Sequence, residues 1–504
     1  MPKRLKASLL SLLALSCASA WSQQTELPMK NGIPFERFYK YPILNGRSPA
    51  SPAMSPDGAK IVFGWNKTGE RKLDIWVMDF PAGEPRMIVQ SSTITDLPKQ
   101  DDTRDELAKK EQELYDGGAG GYQWSPDSKE IMFSYKGRVW TMNPDGANLQ
   151  PMFDSNEGIG GAQYSPDGKY VGFLQGGNLY RIDRKTGKVK QLTFVSKPNT
   201  SVNGFEWSPD CKYISVSWAD SSKTGHHVMM DFSKDRATVV NIQRDWNGDL
   251  DNDNQIGVIP ADGGLIKFVE GIPRYLWVKD LEWSPDSRFL AIGWIKDDFQ
   301  EFTISVVDAT TLKKVDAYHE RAPKNYIPDW RPVVWSRDSK HLIFGTDIID
   351  TKFGYRSIMQ IDPDGKNIQK VFAQNYDCAS LMRPKDSDRL ILTTLSRTPL
   401  STEITIVEPD GKITQHVVLP DGNSIPNQFD DTASPLVSWD GTKIATSASN
   451  RKINPELYEV EPECKRLTTS QLSDFAKIKW ADYKEVTFKA KDGATIHGLL
   501  ITKP

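Results

Sequence analysis

The residues whose types and spacing suggest chemistry fall in two stretches. Glu106, Glu111 and Glu113 lie within a run of good helix formers, Asp105 to Tyr115, with Asp101, Asp102 or Thr103 as caps. Carboxylates there would hold the cationic end of a substrate. A solvated helix with ordinary charge pairs is the competing reading. The second stretch is Asp245-Trp-Asn-Gly-Asp-Leu-Asp-Asn-Asp253, preceded by Arg244. Oxygens at Asp245, Asn247, Asp249 and Asp253 have the spacing of a short calcium loop. Yet Leu250 stands where the turn-making glycine belongs, and Ile256 where the closing acid belongs, so a polar hairpin loop competes. Arg244 and Trp246 are further candidate substrate contacts.

No complete catalytic set accompanies them. A nucleophile elbow would read Gly-x-Ser-x-Gly. Gly46-Arg-Ser48 and Gly422-Asn-Ser424 begin that way, and both lack the second glycine. The six histidines, His226, His227, His319, His341, His416 and His497, come without a motif that marks a general base. The pair His226-His227 is a weak metal or substrate candidate and more simply an exposed pair. No zinc, nucleotide or dinucleotide fingerprint is present, so no catalytic residue and no cofactor is expected.

What would position these residues is a repeat. An aromatic or apolar residue is followed by Ser-Pro-Asp-Gly or a near copy, then by alternating apolar residues. The clear copies begin at Ser55, Ser125, Ser165, Ser208 and Ser284; Ser336 and Ser438 begin weaker ones. Arg383-Pro384-Lys385-Asp386 is the most degenerate. Proline presets φ, aspartate bonds its own backbone, and glycine takes the left-handed position that follows. A second turn follows in each copy, as in Asn143-Pro-Asp-Gly146 and Asp362-Pro-Asp-Gly365. Two hairpins per copy make four strands, a to d. Four-stranded units repeating every ~40–50 residues are propeller blades. The fold expected is all-β, a propeller of eight blades with seven as the alternative count. A β-sandwich with frequent turns is the architecture it displaces.

Two repeats carry insertions, at about 85–122 and about 219–256. The first joins strand d to the next strand a, the second joins b to c. Both connections lie on one face of an a–b–c–d meander, and the chain enters and leaves the propeller on that face too. Long loops on a rigid scaffold are where function concentrates.

The N-terminus reads as an export signal. Lys3, Arg4 and Lys6 precede an apolar core from Ala7 to Leu15, and Ala18-Ser-Ala20 supplies the cleavage pattern. Ser16-Cys17 leaves lipidation as the lesser alternative. Export permits disulfides, but Cys211, Cys378 and Cys464 are an odd set, so at least one stays free or pairs between chains. Net charge is -3 with both signs mixed along the 504 residues, which excludes a nucleic-acid footprint. No later segment is apolar for long enough to span a bilayer.

After the last repeat, Glu485-Val-Thr-Phe-Lys-Ala-Lys-Asp-Gly493 and Ala494 to Pro504 read as two strands around an Asp-Gly turn. Here the chain resembles the prolyl oligopeptidase family of serine peptidases, in its acylaminoacyl-peptidase and dipeptidyl-peptidase-like branches. Val486-Thr-Phe488, Asp492-Gly493, Ile496-His-Gly-Leu-Leu500 and Lys503-Pro504 resemble the first strands of that family's α/β-hydrolase domain. The entry segment Ile33-Pro-Phe-Glu-Arg-Phe38 and the stretch Trp246-Asn-Gly248 with Gln255 to Ile259 are similar as well. The resemblance implies a signal at 1–20, an entry segment at 21–46, a propeller at 47–475 and the start of a truncated hydrolase domain at 476–504. It also implies a propeller that gates and positions peptide substrates for a hydrolase domain following it covalently. That family's serine, aspartate and histidine all lie in the hydrolase domain, and His497 is not its catalytic histidine. The alternative is a stand-alone exported propeller of the TolB-like type that binds peptides or envelope proteins.

Overall fold

The computed structural model describes residues 33, 35–95, 110, 113–153, 158–232, 236–243, 251–296, 298–322, 327, 331–347, 354–398, 400–418, 435–450, 452–473, 475 and 478–502. Eight four-stranded antiparallel sheets follow one another as the blades of a β-propeller. They span Ala50–Val89, Gly120–Pro151, Gly160–Gln191, Thr200–Phe268, Leu276–Arg321, Val333–Phe372, Cys378–His416 and Leu436–Arg466. The count of eight is the expected one.

The strands read as their places in a blade require. In blade 5 the middle strands Phe289–Lys296 and Glu301–Asp308 are buried along nearly their whole length. Each middle strand has a neighbouring blade on both faces, so it carries a continuous apolar run instead of an alternating one. The outermost strand, Lys314–Arg321, is exposed on one side and alternates more. Packing between blades forms eight apolar clusters, one at each interface, and the eighth joins blade 8 to blade 1 through Ile61, Phe63, Trp65, Ala445 and Leu457. Fully burying one large apolar side chain contributes roughly 1.5–3 kcal/mol.

The first and last sheets are each built from consecutive strands. The ring therefore closes by packing and hydrogen bonds, without exchange of a strand. The Trp439 amide donates to the Pro56 carbonyl at 3.0 Å, and Asn45 donates to Asn454 at 3.0 Å. Beneath them the buried Glu456 carboxylate accepts from the Thr468 hydroxyl and from the amide and hydroxyl of Ser470, each at 2.7 Å.

The a–b turns show why the repeat is worth its residues. Ser55 Oγ donates to Asp57 Oδ1 at 2.6 Å and accepts from the Lys60 amide at 2.9 Å, while Asp57 Oδ1 accepts from the Ala59 amide at 3.0 Å. The same serine-to-aspartate bond recurs at 2.6–2.8 Å in blades 2 to 6 and in blade 8. In blade 7 the Arg383 guanidinium replaces it, donating to the carbonyls of Trp335, Pro384, Lys385 and Ser387.

The fourth turn position is left-handed even where it is not glycine: Ser128, Cys211, Ser287 and Ser339 have φ of 58–63°. The strain has a return. Ser128, Ser287 and Ser339 each accept from the amide of the turn aspartate of the preceding blade, at 3.0–3.2 Å. Cys211 stands in the same relation to Asp167.

Candidate functional site

The first insertion runs from Val89 to Gly120, and the second from Asp220 to Asp253. Both leave the same face, as the meander demands. The root of the first is fastened to the b–c connection of blade 1. The Leu73 amide donates to the Gly117 carbonyl at 2.9 Å, and the Ser91 hydroxyl donates to the Leu73 carbonyl at 2.6 Å. Gly118 has φ +91, and a Cβ there would sit 2.2 Å from the Leu73 carbonyl oxygen, so only glycine fits. Asp116 ties the root together, accepting from Lys72 Nζ at 2.7 Å, the Tyr135 hydroxyl at 2.8 Å and the Gly118 amide at 3.0 Å. Burial alone would raise its carboxyl, but these bonds outweigh it and hold the pKa at about 2.

Of the carboxylates in this insertion, Glu113 is exposed and helical, as are Lys110 and Leu114, and Tyr115 is already in a turn. Glu106 and Glu111 lie outside the described residues. So do Arg244, Asp245, Trp246, Asn247 and Asp249. Asp253, the last of the candidate calcium ligands, opens strand c of blade 4, and its carboxylate is gripped by the Arg274 guanidinium. Among the described residues no group of three metal-ligating side chains comes together.

The second insertion holds a feature that the sequence reading passed over. His226–Asp231 pairs with Thr238–Gln243 as a two-stranded hairpin. Val228, Phe232 and Val239 on it are 67%, 77% and 60% exposed. His226 and His227 are neighbours in a strand and so point to opposite faces, which separates them as ligands for one ion. His497 sits in the C-terminal hairpin, its Nδ1 2.8 Å from Glu485 Oε1 across the strands. Cys211, Cys378 and Cys464 are unpaired. Burial pushes the Cys378 thiol up to about 12.

Toward the propeller axis, a cavity of about 530 Å³ lies between the innermost strands of blades 4 and 5. Glu206, Lys279, Asp280 and Glu282 line it with Phe205, Trp207 and Trp283. The strands Thr200–Trp207 and Leu276–Trp283 both carry a β-bulge here, at Asn203 and Lys279. The a–b pairs of blades 1, 2, 3 and 7 carry a register shift as well, so the bulge belongs to the blade pattern. Gln163 of blade 3 donates to the Phe205 carbonyl at 3.2 Å and reaches Glu206 Oε1 at 3.4 Å. Burial raises the carboxyls of both glutamates, that of Glu282 to about 8 with help from Asp280 and Glu206. The signal for these residues was present in the repeat, one position before the aromatic or apolar residue that precedes each turn. That position is Gln123, Gln163, Glu206 and Glu282 in blades 2 to 5, and Val334, Leu381, Leu436 and Ala53 in blades 6, 7, 8 and 1.

The model of the dipeptidyl peptidase IV N-terminal region matches residues 123–438. The chain belongs to this dipeptidyl peptidase IV propeller family. Among solved structures it is similar to dipeptidyl peptidase 4 of Porphyromonas gingivalis, with a TM-score of 0.71 and 12% identity. It is also similar to a Bacteroides ovatus protein assigned as a dipeptidyl aminopeptidase IV, with a TM-score of 0.63 and 15% identity. Those matches cover 93% and 91% of this chain but only 66% and 65% of the two others. At such identities the likeness is one of fold. No helix among the described residues is long and apolar enough to cross a membrane.

Proposed function

We propose that this chain is the propeller portion of an exported serine peptidase, which admits and positions peptides for an α/β-hydrolase domain that follows it. The observation that carries the reading is the C-terminal hairpin. Asp482–Lys489 and Thr495–Thr502 pair over their full length, outside the eight blades. Phe488, Ile496, Leu500 and Ile501 on it are 40–60% exposed. A two-stranded hairpin is marginally stable alone in water, and an apolar surface of this kind is covered when a partner domain continues the sheet. The family match and the greater length of the two similar structures point the same way. A stand-alone binding propeller has no use for residues 482–502. In this reading residues 1–20 are the export signal, 21–46 the entry segment and 476–504 the start of the hydrolase domain. The insertion face, with Glu106, Glu111, Glu113, Arg244 and Trp246, meets the peptide.

The test is the intact mass of the native mature protein, paired with a serine-hydrolase assay of the 1–504 chain. A native mass larger by a domain, with no turnover by the 1–504 chain, is expected. A native mass equal to residues 21–504, or turnover by 1–504 alone, overturns the proposal.

A further inference from the structure

We propose that His416 is an acid-responsive latch between blades 7 and 8, which closes when its imidazole takes a proton and pairs with Glu461. The inference is independent of the peptide-handling role proposed above.

His416 ends the outermost strand of blade 7, Ile413–His416. Side chains alternate along a strand. Gln415 turns toward blade 6, where its amide donates to the Tyr376 hydroxyl at 2.8 Å. His416 turns the other way, toward blade 8, and its side chain is 13% exposed. Its Nε2 lies 3.5 Å from Glu461 Oε1 in the c–d turn of blade 8. That nitrogen is buried, and among the described residues it has no hydrogen-bond partner. A buried polar atom is ordinarily paired, and the group that stands beside this one is a carboxylate.

The carboxylate already belongs to a cluster that is short of positive charge. Arg389, just before strand b of blade 7, donates from Nη2 to Glu461 at 2.9 Å and to Glu408 of blade 7 at 2.9 Å. Its Nη1 reaches the Gly441 carbonyl in the a–b turn of blade 8. Arg389 is therefore the permanent tie between the two blades, and it serves two carboxylates. The imidazolium of His416 supplies the second cation. As a neutral ring, His416 gives Glu461 neither a charge nor a hydrogen bond. The other titratable groups of this interface do not compete. Burial raises the Tyr458 hydroxyl and the Cys464 thiol of blade 8, so both are uncharged at neutral pH and below. Arg466, in the outermost strand of blade 8, is held by Glu456 and by the Thr468 carbonyl. Glu459 lies between Tyr458 and Val460, which pack toward blade 7, and so faces the opposite side of its strand. Histidine is the side chain that ordinarily changes charge between pH 5 and 8. The latch is closed at the acid end of that window and open at the alkaline end. It grips the blade that must meet blade 1 without exchange of a strand, so it bears on closure of the ring.

The experiment is hydrogen–deuterium exchange of the 1–504 chain at pH 5.5 and pH 8, followed by mass spectrometry, with protection expressed against the intrinsic rate at each pH. The peptide covering residues 456–466 is expected to gain several-fold protection at pH 5.5 in the wild type. Peptides from blade 3, which contains no histidine, are expected to show no change. His416→Gln and Glu461→Gln are each expected to abolish the gain, because each removes one charge of the pair. No gain in the wild type, an equal gain in blade 3, or a gain that survives in either variant overturns the inference. The wild-type contrast between residues 456–466 and blade 3 needs no variant, so a poorly folding variant leaves the test intact.

Discussion

Arg331 is a residue whose loss the structure makes costly. It lies in the connection between blades 5 and 6, and its side chain is 0% exposed. Its Nε donates to Glu320 Oε1 at 2.6 Å, and a terminal nitrogen donates to Asp347 Oδ1 at 2.6 Å. The second oxygen of Glu320 accepts from the Thr346 hydroxyl at 2.6 Å and from the Tyr318 hydroxyl at 2.8 Å. Glu320 is itself only 2% exposed, so Arg331→Met leaves a buried carboxylate without its cation. Breaking such a pair from one side costs about 3–5 kcal/mol. For a cooperative unit of several hundred residues that is a fall in Tm of roughly 3–5 °C. The double variant Arg331→Met, Glu320→Leu removes both charges and should recover a large part of the loss, because replacing both partners by apolar groups is far cheaper than orphaning one. Thermal unfolding followed by near-ultraviolet circular dichroism reads the difference. A single variant within about 1 °C of the wild type, or a double variant less stable than the single one by the full cost of a second disruption, would refute the reasoning.

Three further outcomes follow from the same geometry. Ser287→Ala keeps the left-handed strain and loses the bond to the Asp210 amide, so it should destabilise by about 1–2 kcal/mol, whereas Ser287→Gly relieves the backbone and should cost about 1 kcal/mol less; urea unfolding distinguishes them, and equal losses contradict the account. Asp116→Asn should destabilise at pH 7 by about 2 kcal/mol, since the folded carboxyl sits at about 2 against an ordinary 3.8. A depressed carboxyl stabilises above its unfolded value and loses the effect as pH falls through its folded value, so the gap to wild type should close between about pH 4 and pH 2; a gap constant across that window is the contrary result. Cys378, buried with its thiol pushed up to about 12, should react with iodoacetamide at pH 8 more slowly than Cys211 or Cys464, as mass spectrometry of partly labelled protein would show.

What the amino-acid order determined by itself was the part of the structure governed by contacts a few residues long. Ser55, Pro56, Asp57 and Gly58 close their own turn, so each near copy announces an a–b hairpin wherever it stands. Eight such copies with a second turn apiece leave little besides a propeller, and the strand assignment that placed both insertions on one face follows from the order of turns. Even the degenerate copy at Arg383 was legible as a turn, although nothing local shows that its guanidinium stands in for the missing serine by reaching back to Trp335 in blade 6.

Tertiary structure alone decided whatever joins residues distant in the chain. Val228 and Phe232 read as ordinary strand formers, and only the folded chain leaves their hairpin projecting without a core. Asp253 fits a calcium loop by spacing, and only folding brings Arg274 onto it. Glu206 and Glu282 each look like a charged residue in an alternating strand. They come to line one cavity because the inner strands of successive blades converge toward the axis. Local propensity carries no record of that convergence, because it is set by the eight packed interfaces of the closed ring.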